Sequence, residues 1–336
     1  LALGGLLSLS TQAVANEKLT VLLDWFVNPD HATLVVAKEK GFFSEQGLDV
    51  DLIAPADPND PPKLVAAGKA ALAVSYQPQL HLQVAEGLPL TRVGTLVATP
   101  LNSLVVLKDS PIKSIADLKG RKVGYSVGGF EDVILDAMLE KHGLGVKDVE
   151  LINVNFTLSP SLISGQVDAV IGAFRNFELN QMDIVGKPGR AFYVEEEGVP
   201  SYDELILVAN NQNVDDARFP RFLKALEQAT TYLINHPQES WTLFIKAYPD
   251  LDDELNRRAW KDTLPRFALR PAALDEGRYS DFADFLKAKD LIKEVGDELW
   301  YLAAKCNELD ITLAEAALIN VRKLKDRQER GVLRGS

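Results

Sequence analysis

Asp24, Trp25, Asn28 and His31 fall within eight positions of the stretch LLDWFVNPDH. A carboxylate, an indole, an amide and an imidazole at that spacing can hold a planar, hydrogen-bonding ligand: the indole offers a face and the others offer polar edges. Comparable pairs recur along the chain. Tyr76-Gln77, Tyr125-Ser126, Phe174 with Asn176, and Tyr202 with Glu204 each set an aromatic ring beside a polar group. Gly128-Gly129, before a helical pattern, can offer backbone N–H groups to an anion or a small polar substituent. The full GxGxxG that would mark a dinucleotide loop is absent. Each residue also has a plainer reading: a strand-end Tyr as half-buried core, Asn28 as a turn residue, His31 as a first-turn helix residue, the glycine pair as a helix-capping turn.

The elements that must position these residues are written in the apolar pattern. KLTVLLDW reads as a strand that ends at Trp25. HATLVVAKEKGFF reads as a helix stopped by Gly41. LDVDLIAP alternates as a strand does, and PPKLVAAGKAALAVSY gives a helix, a glycine break and a strand ending at Tyr76. LTRVGTLVATPLNSLVVLKD holds two strands. The same order starts again near Ser114, with strands ending at Tyr125 and Phe174, and from Arg218 the chain is mostly helical. Strand–helix–strand order with short loops predicts an α/β fold. Open α/β sheets bind ligands beyond the carboxyl ends of their strands, where the aromatic pairs fall. The expected division is one lobe of residues 17–107 and 208–290, a second of 108–207, and crossings near 104–110 and 204–211.

Composition narrows the function. A net charge of −12 over 336 residues argues against a phosphate-binding nucleic-acid surface. The single cysteine, Cys306, excludes an intrachain disulfide and a cysteine-built zinc site. LALGGLLSLSTQAVAN reads as the end of a secretory signal peptide with cleavage after Ala15, which predicts export to a periplasm-like space.

Several motifs then occur in order: DWFVNPDH, APADPNDPPKLVAAGKAALAVSYQP, TPLNSLVVLKDSPIKSIADLKGRKVGYSVGGFED, GQVDAVIGAFRNFE and GVPSYDELILVANN. Over about residues 17–290 they resemble the NMT1/THI5-like group of periplasmic binding proteins, above all the receptors for the thiamine pyrimidine precursors formylaminopyrimidine and hydroxymethylpyrimidine. The resemblance implies a type II periplasmic-binding fold, two lobes with a ligand cleft at the hinge. It implies a monomer without cofactor that delivers its ligand to an inner-membrane ABC permease. In that group a Trp of the first motif and Tyr side chains stack on the pyrimidine, and an acidic residue meets its amino edge. The matching positions here are Trp25, Tyr76 and Glu204, with Glu178 or Glu131 as the next candidates for the acid.

One relative of the group, fungal hydroxymethylpyrimidine-phosphate synthase, is an enzyme that uses its own His and a Lys-bound pyridoxal phosphate, with iron. The matching positions here read Ser75 and Gln79, and the place of its cysteine-rich motif reads GVPSYDELILV. A binding protein is therefore expected rather than an enzyme. Riboflavin-like flavins and alkylsulfonates remain alternative ligands; a sulfonate site would favour Arg, Ser and backbone amides over stacked rings. From residue 292 on, the sequence resembles the last part of MazG-like nucleoside triphosphate pyrophosphohydrolases. Glu294 and Asp297 match half of a magnesium motif, but the upstream EExxE half is missing, so a helical tail without a metal site is expected.

Overall fold

The computed structural model describes residues 15–292. The leader-like residues 1–14 and the MazG-like segment from 293 onward, with Glu294 and Asp297, lie outside the described residues.

In chain order the strands are β1 (Glu17–Leu22), β2 (Leu48–Ile53), β3 (Leu72–Ser75), β4 (Leu90–Val97) and β5 (Asn102–Leu107). They continue with β6 (Lys122–Tyr125), β7 (Glu150–Asn153), β8 (Ala169–Phe174), β9 (Gly189–Tyr193) and β10 (Leu205–Asn210). They form two five-stranded sheets, ordered β2-β1-β3-β10-β4 and β7-β6-β8-β5-β9. In each sheet one strand runs against its neighbours. β10 is antiparallel to β3 and β4, and β5 is antiparallel to β8 and β9. These are the two strands that follow a passage from one lobe to the other.

The lobes are thus as expected, but their boundaries shift. Residues 102–107 belong to the second sheet and 205–210 to the first, so the crossings lie before these strands, not within or after them. The reason is physical. NSLVVL is buried at five of six positions, and such a run fits the interior of either sheet. Only pairing with β8 and β9 assigns it.

Helices fill the faces. α1 (Ala32–Glu39), α2 (Phe42–Glu45), α3 (Pro61–Ala66) and α4 (Gln77–Ala85) accompany the first sheet; α5 (Glu131–Glu140), α6 (Leu158–Ile163) and α7 (Glu178–Ile184) accompany the second. α4 was not legible as a helix, because it is buried along most of its length and shows no polar face. Gly41, at φ +80, ends α1 as expected. The C-terminal part adds α8 (Arg218–Asn235), α9 (Pro237–Ala247), α10 (Glu254–Thr263) and α11 (Glu276–Ala288). α8 buries Phe219, Phe222, Leu226, Ala229 and Leu233 at three- and four-residue steps, and Phe222 stacks on Phe43 of α2 at 4.9 Å. Each buried Phe or Leu among them contributes about 1.5–3 kcal/mol, which fastens the helical part to the first lobe. α10 also reaches the second lobe: Asn180 of α7 donates to Asp262 at 2.8 Å, and Arg258 pairs with Asp183 at 2.8 Å.

Candidate ligand-binding site

The first wall of the cleft grows from the end of β1. Beyond Leu22 the chain stays extended for one residue, with the Leu23 amide on Ile53 O at 2.8 Å, and then delivers Asp24 and Trp25. Asn28 caps the next turn, its Oδ1 accepting from the Asp30 amide at 2.8 Å. The Asn28 amide donates to His31 Nδ1 at 3.3 Å. The imidazole proton must then sit on Nε2, where it is donated to Asp24 Oδ1 at 2.9 Å. Tyr76, at the end of β3, donates its hydroxyl to Asp24 Oδ2 at 2.9 Å. Both oxygens of Asp24 are therefore engaged from behind. His31 is fully buried; it braces Asp24 and does not offer a polar edge to the cleft as expected.

The second wall is built twice by one device, a strand, a turn and an acid opening the next helix. Glu131 opens α5 and its Oε2 accepts from the Ser126 amide at 2.7 Å. Glu178 opens α7 and its Oε2 accepts from the Phe174 amide at 2.6 Å. Such amides, and the helix N-terminus, favour the ionised form. Burial outweighs them and lifts both carboxyls to about 8. At neutral pH each presents a hydroxyl donor and a carbonyl acceptor side by side.

The walls close on a narrow cleft, a cavity of ≈ 30 Å³. Asp24, Trp25, Asn28, Asp30 and Tyr76 line it from the first lobe; Phe130, Glu131, Leu158, Gly172, Phe174, Phe177 and Glu178 line it from the second. No Lys, Arg or His is among them. Aromatic contacts bridge the lobes. Tyr76 stacks on Phe130 at 5.1 Å, Phe174 meets Tyr76 edge-on at 6.4 Å, and Trp25 packs its ring against Phe156 at 4.6 Å. A polar bridge closes the same gap: Asn176 Nδ2 donates to Asp30 Oδ1 at 2.6 Å and lies 2.7 Å from Thr263 Oγ1 of α10. Burial raises the Asp30 carboxyl to about 6.

Of the residues singled out in the sequence, Asp24, Trp25, Asn28, Tyr76, Phe174, Glu131 and Glu178 line the cleft, and the others do not. Gln77 accepts from the Asp203 amide at 2.8 Å. The Ser126 hydroxyl donates to Asn155 O. Tyr125 is half-buried beside Gly128. The Gly128 amide is taken by Asn59 Oδ1 at 2.9 Å, so the glycine turn ties the two lobes together at this rim; Gly129 is the φ +73 residue of that turn. Tyr202 is buried against Phe282 at 5.5 Å. Glu204 is fully buried at the crossing, not at the cleft surface. Its Oε2 accepts from the Leu101 and Asn102 amides at 2.6 and 2.8 Å, and burial lifts it to about 7. Beside Asp24 and Asp30, the cleft is reached by Glu131 and Glu178, the alternatives to Glu204. Both sit in the first turn after a strand end, and that placement was the available signal. Among the described residues no group of three or more His, Cys, Asp or Glu is placed to hold a metal ion.

Comparison with known proteins agrees with this architecture. A Haemophilus influenzae protein named for thiamine biosynthesis is 60% identical over 287 residues, 85% of this chain and 91% of its own length. The formylaminopyrimidine-binding protein of Halalkalibacterium halodurans is 36% identical over 252 residues, 74% of this chain and 76% of its own. A Saccharomyces cerevisiae 4-amino-5-hydroxymethyl-2-methylpyrimidine phosphate synthase is 26% identical, over 76% of this chain and 78% of its own. Among solved structures, the alkanesulfonate-binding protein SsuA of Xanthomonas axonopodis pv. citri superposes with a TM-score of 0.67 at 17% identity, covering 84% of this chain and 96% of its own. That likeness assigns the fold, the two-lobed α/β architecture of periplasmic binding proteins. The family profile described as NMT1/THI5 like matches residues 28–240, and the chain belongs to the NMT1/THI5-like family.

Proposed function

We propose that this protein is the extracytoplasmic receptor of an ABC importer and binds a thiamine pyrimidine precursor, formylaminopyrimidine or hydroxymethylpyrimidine, between its lobes. The observation that carries the reading is the pair of buried, proton-holding acids, Glu131 and Glu178, in a cleft walled by aromatic rings and free of cationic side chains. An aminopyrimidine presents a ring-nitrogen acceptor beside an amine donor. A neutral carboxyl presents the complementary donor and acceptor, and two such bonds form together at little ordering cost. Trp25 and Tyr76 supply faces for the ring, and rings flanked by aromatic faces gain about 1–3 kcal/mol each. A sulfonate or a phosphate ester would bring its charge among Asp24, Asp30, Glu131 and Glu178 with no lining cation to meet it, a costly burial. The name of the Halalkalibacterium halodurans relative supports the same ligand class.

The reading is of a binding protein. The positions matching the synthase's Lys and His hold Ser75 and Gln79, and the Ser75 hydroxyl donates to Gln79 Oε1 at 2.9 Å. Both are buried and neither lines the cleft. Among the described residues no helix is long and apolar enough to cross a membrane. The test is titration calorimetry of the purified protein with formylaminopyrimidine, hydroxymethylpyrimidine, the phosphate ester of the latter and an alkanesulfonate, alongside native mass spectrometry of protein taken directly from cells. Saturable binding of an uncharged pyrimidine, with the two anions at least about 100-fold weaker, is expected. Equal or tighter sulfonate binding would sink the proposal.

A further inference from the structure

The wall behind Glu131 is not a regular sheet. Asn102 pairs with Phe174 and Ser103 with Ala173, but Val105 pairs with Val170. Two residues of β8, Ile171 and Gly172, thus stand opposite Leu104 alone, which is a β-bulge. Gly172 has φ +92, a conformation that favours glycine. Its amide, 3.0 Å from Asn102 Oδ1, is donated to that side chain. On its other side there is no room for a side chain. A Cβ at this position would lie well under 3.0 Å from all three carboxyl atoms of Glu131. The bare face of the glycine is therefore the seat of the Glu131 carboxyl, whose second anchor is the Ser126 amide.

Asn102 is held in turn. Its amide and that of Leu101 donate to Glu204 Oε2. Its carbonyl accepts from Arg175 Nη2 at 3.2 Å, and the Arg175 amide donates to Leu101 O at 2.9 Å. Glu204 immediately precedes β10 of the first sheet, whereas Asn102 opens β5 of the second. The link from Glu204 through Asn102 and Gly172 to Glu131 runs from the hinge to the cleft entirely through buried groups.

We propose that Asn102 and Gly172 are positioning residues for ligand recognition: together they hold the β8 bulge that seats the Glu131 carboxyl in the cleft, and Glu204 ties that bulge to the segment crossing between the lobes. The consequence for recognition rests on the reading that Glu131 meets the ligand's ring edge. The alternative is that Asn102 only stabilises the sheet, which would change folding stability and leave Glu131 where it is.

Two measurements separate these. The first needs no ligand. The Glu131 carboxyl is followed by carbon-13 NMR titration in the wild type and in Asn102→Ala. Its ionisable neighbours are Asp132 on its own helix, Glu204 at the hinge and Tyr76 from the opposite lobe. None of these is altered by the substitution. The Glu131 midpoint should fall by about one unit or more as the carboxyl leaves its seat, with the Glu178 midpoint unchanged. An unmoved Glu131 midpoint in the folded variant overturns the proposal whatever the ligand is. If Asn102→Ala does not fold, Asn102→Ser, whose shorter side chain falls short of the Gly172 amide, takes its place.

The second is a double-mutant cycle by calorimetry with hydroxymethylpyrimidine. Asn102→Ala should weaken binding about ten-fold in the wild type and less than about two-fold in a Glu131→Gln background. Additive effects would overturn the positioning role. If Glu131→Gln alone binds as the wild type does, the ring-edge reading fails, while the ligand-free titration still decides the positioning.

Discussion

The two walls of the cleft use the same chemical group in opposite ways. On the first, Asp24 is met by a His31 N–H and a Tyr76 O–H, one for each oxygen. On the second, Glu131 and Glu178 are met by backbone amides and by no cation. A buried carboxylate with two strong donors is a fixed structural part, since losing it would strand both donors in a dry interior. Burial holds the proton on Glu131 and Glu178 up to about pH 8, and each has bonding capacity left for a ligand. The difference teaches that lining acids can play unlike parts: Asp24 is fixed by two side-chain donors, whereas Glu131 and Glu178 keep bonding capacity toward the cleft.

The comparison breaks most sharply at Asp24. Asp24→Ala leaves His31 and Tyr76 without their acceptor, and should cost about 2–4 kcal/mol of folding stability in urea denaturation. A loss below about 1 kcal/mol would remove the distinction between the walls. Trp25→Ala comes next. It should cost about 1–3 kcal/mol of pyrimidine affinity, on the order of ten-fold or more, with thermal unfolding little changed; unaltered affinity would remove Trp25 as a ring platform.

The second wall is probed through pH. Glu131 and Glu178 titrate at about 8 in the fold against 4.5 when exposed. Raised carboxyls stabilise the fold fully below the lower value, and the contribution is lost as pH climbs through the upper one. The ligand-free protein should therefore lose several kcal/mol between pH 5 and 9, on the order of 4 kcal/mol per acid. Glu204 and Asp30, raised to about 7 and about 6, add in the same direction. A Glu131→Gln/Glu178→Gln variant should show a flatter profile in denaturation series across that range. A variant with the wild-type slope would mean that these acids are already ionised.

Smaller effects are expected away from the walls. Glu204→Gln keeps an oxygen for the Leu101 and Asn102 amides, so pyrimidine affinity should stay within about three-fold, under ~1 kcal/mol. A ten-fold loss would return Glu204 to the ring edge. Gly128→Ala adds a Cβ whose nearest neighbour is Tyr125 at 3.6 Å. It should leave affinity within about two-fold, as substitutions free of clash and buried polar loss do.

Much of the frame was legible in the sequence, because strand and helix periodicities are local and the aromatic pairs sit at strand ends. Trp25, Tyr76 and Phe174 were found that way, and all three line the cleft. Glu204 was legible as an acid near a crossing, but not in its burial or its partners. Whether it faced the cleft or the hinge depended on where Leu101 and Asn102 lie, about one hundred positions earlier. β5 was legible as a strand, but its sheet was not, since an apolar run pairs equally well in two interiors.

By itself the sequence determined two α/β lobes, an acidic chain without the cysteines for a disulfide or a zinc site, and rings placed where open sheets bind ligands. These follow from composition and from periods of two and 3.6 residues, which the chain carries in every short window. Only the tertiary structure decided that Asp24 is braced while Glu131 and Glu178 keep their protons, and that Gly172 makes room for one of them. Desolvation and hydrogen bonding depend on what surrounds a group in space, and here those surroundings come from segments far apart in the chain.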